Sequence, residues 1–591
     1  MVRHEVPERY RWKLTDLYET DAAWEVDFTR LKDEIPGIAA LAGTLGSAAG
    51  LLHALCAIEA EEELATKLFA YARMRRDEDN ANPLYQGMTE RAMGVLTAAG
   101  AAVSFLYPEL VALGAETVNG FMEKQSELRI YAQFFDDVFR AAAHTLSPRE
   151  EALLAMAGQV LDSASDIYDM YNNADIRFAE VPDEDGKMIR LTHGRYSRLL
   201  ESRKRTVRES AFRAMYQPYQ EHKNTMAATL SANVKKNCFY AKARGYSSAL
   251  NLCLDAGNIP ESVYHSLIDA VDAALPALGE YLKLRQRALG VERLHLFDLY
   301  TPIVQTADVS YSFEEACALV REAVKPLGEQ YVKDLDAAFA SGWIDVMETE
   351  GKTPGAYSWG DHSTHPFVLL NFHGTLDDVF TLAHEMGHAM HSFYTNRTQP
   401  SVYKEYKIFV AEVASTVNEA LLMAHLLRIT TDSTLRAYLL NQKLEGCRTT
   451  VYRQTMFAAF EREIHAAYER GEALTAERLE ELYLGLNTQY FAPHVEIDPE
   501  ISMEWARIPH FYSDFYVYQY ATGYSAAQVL SQRILSGEGT EAYLKFLSSG
   551  SSDYPLALLR DAGVDLTTPD PVAQTLTGFS HTVSELSSLL S

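Results

Sequence analysis

Apolar positions along most of this chain recur at helical intervals, and many of those runs open with helix-start chemistry. From about residue 22 to residue 171 the pattern reads as successive amphipathic helices with short breaks. Ser147-Pro148-Arg149-Glu150, Thr206-Val207-Arg208-Glu209 and Ser312-Phe313-Glu314-Glu315 each have the form of a capping box ahead of an apolar run. Near Ile176 the period shortens. Residues 176–181 alternate in part, 182–186 form a turn and 187–191 read as a return strand, which predicts a hairpin. Helices resume at once, so a boundary is expected there, between a helical N-terminal domain over 1–190 that ends in the hairpin and a second domain over 191–591. Helical runs continue to about Ser341. Residues 343–347 and 366–372 are strand-like, and a turn-rich loop over 351–360 separates them. No fixed-period repeat occurs, which excludes a regular solenoid.

The chain has 591 residues, enough for more than one domain and a large core. Its formal charge of −28 repels nucleic acid and anionic membrane, so neither is an expected partner. The first residues lack an apolar signal core, and no run of 18 uncharged apolar residues appears, so no membrane span is expected. Cys56, Cys238, Cys253, Cys317 and Cys447 are scattered, with no C-x-x-C pair. That pattern fits small buried thiols in a reducing, cytoplasmic compartment. The sequence sets no oligomeric state.

The chemistry concentrates after the second strand-like run. His373-Gly374 breaks that run, and Thr375-Leu376-Asp377-Asp378 forms a fourth capping box, predicting a helix to about Tyr394. On it lies Thr381-Leu382-Ala383-His384-Glu385-Met386-Gly387-His388. His384 and His388, four residues apart, share one helical face and can reach one metal ion. Glu385 lies about 100° further round, where it can hold a water molecule without ligating the metal. This is the H-E-x-x-H pattern of zinc hydrolysis. Alone it also fits an exposed helix with two surface histidines. Leu382, Met386, Ala389, Met390 and Phe393 supply enough apolar bulk to predict a buried helix instead, and buried charges need partners or a metal.

A catalytic zinc takes three protein ligands. The metzincin pattern fails, because His391 and Tyr394 stand where it needs Gly and His. The next helix, expected over about 406–427, carries Glu412 and Glu419 on one face with Ser415 and Thr416 between them. Glu412 is the candidate third ligand. Glu419 is then an acceptor for a ligand imidazole, and His391 an outer group or a satisfied core histidine. Further on, His510 is followed by five tyrosines between Tyr512 and Tyr524, too many for one helical face. Phenol and imidazole donors suit a developing oxyanion.

These residues resemble the thimet oligopeptidase and oligoendopeptidase F family of zinc metallopeptidases. The resemblance rests on several stretches: residues 11–18, Gly351-Lys352 with Gly355-Ala356-Tyr357-Ser358, Thr381 through His391, Glu412-Val413-Ala414-Ser415-Thr416 with Asn418-Glu419, and Pro509-His510-Phe511-Tyr512 with Phe515-Tyr516-Val517-Tyr518. It implies a mainly α, hollow ellipsoid with a small sheet beside the motif helix and an internal substrate channel. It implies one Zn²⁺ per chain held by His384, His388 and Glu412, with Glu385 as general base. His510 and a tyrosine would contact the tetrahedral intermediate, Tyr518 ranking ahead of Tyr512 and Tyr516. The thimet branch spaces these His and Tyr residues more widely. The substrates implied are short peptides, contacted by Tyr512, Tyr516, Gly355 and Ala356. The strand over 367–372 is a candidate for pairing with an extended peptide. Two other readings are a helical zinc carboxypeptidase, which must grip a free C-terminal carboxylate, and a non-catalytic helical peptide-binding protein. An intact Glu385 argues against the second.

Overall fold

The structure is a computed structural model that describes residues 1–304 and 309–591. Helices hold 71% of the residues, and the described strands are short, so the fold is mainly α as the patterning predicts. Three of the four capping boxes form, at Ser147, Ser312 and Thr375. The fourth does not. The helix expected to start at Thr206 begins at Arg205 with Lys204 as its N-cap, and Thr206 lies inside it. The predicted hairpin is present, with β1 (Glu180–Pro182) antiparallel to β2 (Met188–Arg190). Further on, β3 (Leu294–His295) pairs in parallel with the later stretch Val495–Glu496. Residues 305–308, within the expected helical run, lie outside the described residues.

Packing divides the chain into two interleaved units. One unit comprises 1–145, 309–425 and 530–563, the other 146–308, 426–529 and 564–591. The first unit is stitched from distant segments by a shared core. Trp12, Leu14 and Trp24 from the start of the chain pack with Tyr71, Phe367 and Leu369. Backbone bonds add to this, from Lys13 N to Gly342 O at 2.7 Å and from Val346 N to Tyr10 O at 2.9 Å. A buried ion network closes it: Asp345 pairs with Arg3 and Lys352 at 2.7 Å each, and Arg3 reaches Glu78 at 2.6 Å. A burial this deep demands such pairing.

In this unit β4 (Ile344–Asp345), β5 (Tyr357–Trp359) and β6 (Phe367–Leu369) form a sheet in the order β4-β6-β5. β6 runs parallel to β4 and antiparallel to β5, and all three of its residues are buried. Its apolar run is therefore that of a central strand. β4 and β5 occupy both sides of 367–369, so within the stretch 367–372 those three residues are not open to a substrate peptide; β5 is an edge. By length and composition, two helical stretches among the described residues are long and apolar enough to cross a membrane, Pro83–Leu113 and Ile408–Ile429. The second is the helix of Glu412, mostly buried within the protein.

Candidate metal centre

The motif helix spans Leu376–Thr398, four residues beyond its predicted end. Its start is fixed by Thr375 and Asp378: Thr375 Oγ1 accepts from Asp378 N at 3.1 Å, and the Asp378 carboxylate accepts from Thr375 N at 2.8 Å. Leu382, Met386, Ala389 and Met390 are fully buried, so one face is committed to the core. The opposite edge meets the helix Ile408–Ile429 at very short range. A Cβ on Gly387 would lie 2.5 Å from Ser415 Cα and 2.7 Å from Ala414 O. Only glycine admits that approach. Asn418 adds a tie across it, donating from Nδ2 to Ala383 O at 3.1 Å.

This close crossing brings three donor atoms together. His384 Nε2 and His388 Nε2 lie 3.2 Å apart, and Glu412 Oε2 is 3.2 Å from the first and 3.3 Å from the second. Three atoms at about 3.3 Å from one another form one face of a tetrahedron whose centre is about 2.0 Å from each, the usual Zn–N and Zn–O distance. Among the described residues this is the group of three or more His, Cys, Asp or Glu side chains that converges closely enough for a metal ion. The donor set and spacing thus fit a divalent cation. Ser415 Oγ donates to Glu412 Oε2 at 2.9 Å and orients it. On its far side His384 Nδ1 is bonded to the Glu419 carboxylate, the partner that fixes tautomer and ring direction in metal sites. Without a metal, burial would lower the His384 pKa, but Glu412 and Glu419 override it and raise it to about 10. A bound cation replaces that proton. Glu385 is buried, which pushes its carboxyl pKa up, while the two histidines oppose the shift.

His391 is not placed as an outer partner of the ligands. Its ring stacks on Tyr406 at 3.8 Å between centroids, and burial pushes its pKa down to about 3. Its Nδ1 is buried without a hydrogen-bond partner among the described residues. It is a neutral core histidine. Ser415 was legible as sharing the face of Glu412; its bond to the carboxylate was not. Gly355 has a φ of +85°, and Ala356 follows it directly before the edge strand β5. Asn371 Nδ2 holds the loop by donating to Thr353 O at 3.0 Å and Gly355 O at 2.8 Å.

His510 and the tyrosines belong to the second unit. His510 Nε2 lies 3.3 Å from Tyr520 Oη, and its ring is nearly parallel to that of Tyr516, with centroids 6.2 Å apart. Tyr516 and Tyr520 meet edge to face at 5.3 Å. Tyr518, ranked first from the sequence, is only 3% exposed and packs its ring 5.1 Å from Tyr264. Tyr512 stacks on Tyr168 at 4.4 Å. Tyr518 is a core residue, Tyr512 is partly buried, and the group around His510 is Tyr516 with Tyr520. The sequence reading missed Tyr520. Tyr516 lies two residues ahead of the helix Tyr518–Leu535, so no helical spacing in the sequence announces its meeting with Tyr520. The turn between His510 and Tyr516 is strained, with φ of 43° at Asp514 and 60° at Phe515. It is held by Asn237 Nδ2 to Asp514 Oδ1 at 2.8 Å and by Phe515 N to Glu461 Oε1 at 2.6 Å. Such over-determined strain gathers at functional sites.

The chain resembles known proteins along its whole length. Residues 198–578 match the family model described as peptidase family M3, and residues 109–178 the model described as oligopeptidase F. The chain is 44% identical over 592 aligned residues to oligopeptidase PepF of Bacillus subtilis, covering 100% of this chain and 88% of that protein. It is 40% identical over 597 residues to an oligoendopeptidase F homolog of Lactococcus lactis, covering 100% and 98%. The crystal structure of oligoendopeptidase-F from Enterococcus faecium superposes with a TM-score of 0.75 at 37% identity, covering 96% of this chain and 99% of that one. A H-E-x-x-H helix crossed at a glycine by a glutamate-bearing helix, in a chain matched along its whole length, places this protein in peptidase family M3.

Proposed function

We propose that this chain is a zinc-dependent endopeptidase that hydrolyses internal bonds of short peptides in the cytoplasm, with 191–591 as its catalytic part and 1–190 as a helical N-terminal part. The observation that carries the reading is the convergence of His384 Nε2, His388 Nε2 and Glu412 Oε2 beside a buried Glu385. Two imidazoles and a carboxylate suit zinc and leave a coordination position open. When bound, Zn²⁺ supplies a Lewis acid that polarises the scissile carbonyl and acidifies water.

The chain's own residues do the rest. Glu385 takes the proton of the attacking water and delivers it to the leaving amine. Glu419 holds His384 by Nδ1, so that Nε2 is turned toward the metal position. His510, with Tyr520 and Tyr516, is assigned the oxyanion-donor role, each donor worth about 3–4 kcal/mol in the transition state. Burial lowers the His510 pKa, which favours a neutral ring. Gly355 and Ala356, beside the edge strand β5, are assigned to an extended peptide that adds to the sheet. The relatives' names, oligopeptidase and oligoendopeptidase, support short peptides and internal bonds. Free cysteines throughout suit a reducing compartment.

The test is metal analysis together with digestion of a mixed peptide pool, with and without a chelator. The pool includes peptides blocked at both ends. Chelator-sensitive cleavage of blocked peptides supports the proposal and excludes a carboxypeptidase. A protein without metal that leaves the pool intact overturns it.

A further inference from the structure

The second unit encloses a cavity of about 130 Å³ whose wall carries three guanidinium groups, from Arg448, Arg453 and Arg507. A water molecule's share of liquid volume is about 30 Å³, so the space holds one small ligand and a few waters. The fixed charges around it do not balance. Glu504, the buried carboxylate on the wall, already accepts from Arg453 at 2.7 Å, Arg507 at 3.0 Å and Tyr483 at 2.5 Å. Burial alone would push its pKa up, yet the two guanidinium groups hold it at about 2. Arg448 pairs with Glu445 at 2.7 Å, but Glu445 is shared with Arg285 at 3.0 Å. Four guanidinium groups thus face two carboxylates.

Arginine cannot shed its proton to relieve the excess. Part of it is met by carbonyls: Arg285 donates to Asp298 O and Thr301 O, and Arg448 to Leu299 O. Part is met by ring faces, with Tyr300 under Arg448 and Tyr196 under Arg507. Arg507 Nε nonetheless remains buried with no hydrogen-bond partner among the described residues. Arg453 and Arg507 keep 17% and 20% of their side-chain surface accessible although they sit deep in this unit. Glu201, also on the wall, is exposed.

We propose that this cavity binds a small inorganic anion, chloride or an oxyanion of phosphate size, which balances Arg453 and Arg507. Both arginines grip Glu504, and Arg507 ends the 3₁₀ segment Pro499–Arg507, three residues before His510. The anion would therefore stiffen the segment that presents that histidine. The binding claim stands independently of the peptidase proposal.

The experiment uses the full-length protein at fixed ionic strength. Gluconate is replaced stepwise by chloride in one series and by phosphate in another, and Tm is followed. The expected result is a saturating rise in at least one series, with Arg453→Gln weakening the apparent affinity at least tenfold. Crystals soaked in bromide or arsenate, both anomalous scatterers, give a second reading that needs no variant: a peak is expected beside Arg453 and Arg507. A Tm that does not move, or one that drifts without saturating and equally in wild type and variant, overturns the proposal. So does a saturating rise with anomalous peaks only elsewhere. If Arg453→Gln does not fold, the crystal result decides.

Discussion

Gly387→Ala adds one methyl group where two helices touch, and its consequence can be worked from the contact. The new Cβ would lie 2.5 Å from Ser415 Cα and 2.8 Å from Ser415 N, where ordinary contact begins near 3.4 Å. The obstacle is backbone, so the helices must part by about 0.9 Å or the chain must bend by as much. Glu412 sits three residues, just under one turn, before Ser415 on the displaced helix and moves with it. Metal–ligand distances tolerate about 0.2 Å. Overpacking costs about 1–3 kcal/mol, which a chain of this size survives folded. Metal affinity should therefore fall at least about 100-fold, beyond the 10–100-fold typical of losing an outer partner, while Tm of the metal-free protein drops only modestly. Competition with a fluorescent chelator measures the first and calorimetry the second. Gly446→Ala is the control. Gly446 is helical, and a methyl carbon added there would meet nothing within 4 Å, so the change should be neutral or stabilise by up to about 1 kcal/mol. Wild-type metal affinity in Gly387→Ala would refute the idea that this crossing sets the ligand geometry.

Glu385→Gln should lower kcat by about 10²–10⁴ with one metal per chain retained; undiminished hydrolysis would remove Glu385 from the base role. Tyr520→Phe should cost about 10²–10³ in kcat with little change in KM, and Tyr518→Phe should leave kcat near wild type. The reverse order would restore Tyr518 to the role its sequence position suggested. Glu461 is fully buried, and burial raises its carboxyl pKa to about 8, against about 4.3 for an unfolded chain. Between those values the folded protein holds a proton that the unfolded chain has lost. Stability therefore falls as pH rises through this window, by at most about 1.4 kcal/mol per unit, and levels off above it. Glu461→Gln should flatten the curve of Tm against pH; parallel curves for the two proteins would contradict a protonated Glu461.

How much of this was legible in the sequence depended on whether the cause was local. Helix starts at Ser147, Ser312 and Thr375 were legible because a capping box is a four-residue event. Thr206 failed because the helix found its first turn two residues earlier, with Lys204 as N-cap and no side-chain cap. The histidine pair follows from helical period alone, and Glu412 from the need for a third ligand. Gly387 was visible as a letter, but its role depends on a helix that begins about twenty residues later. The choice among tyrosines was not legible. Tyr518 differs from Tyr520 only in which way the chain leaves the strained turn at Asp514 and Phe515, and that turn is set by Asn237 and Glu461 from distant helices. The interleaving of the two units has the same origin, since Trp12 and Phe367 share a core that no local pattern announces.

The most direct test of the central claim is a titration. Enzyme stripped by a chelator and then freed of it receives Zn²⁺ in measured steps, and cleavage of a peptide blocked at both ends is followed. Activity should be absent at the start and climb linearly to a sharp break at one zinc per chain. Full cleavage by the stripped protein, or a break at any other ratio, would contradict a single ion held by His384, His388 and Glu412.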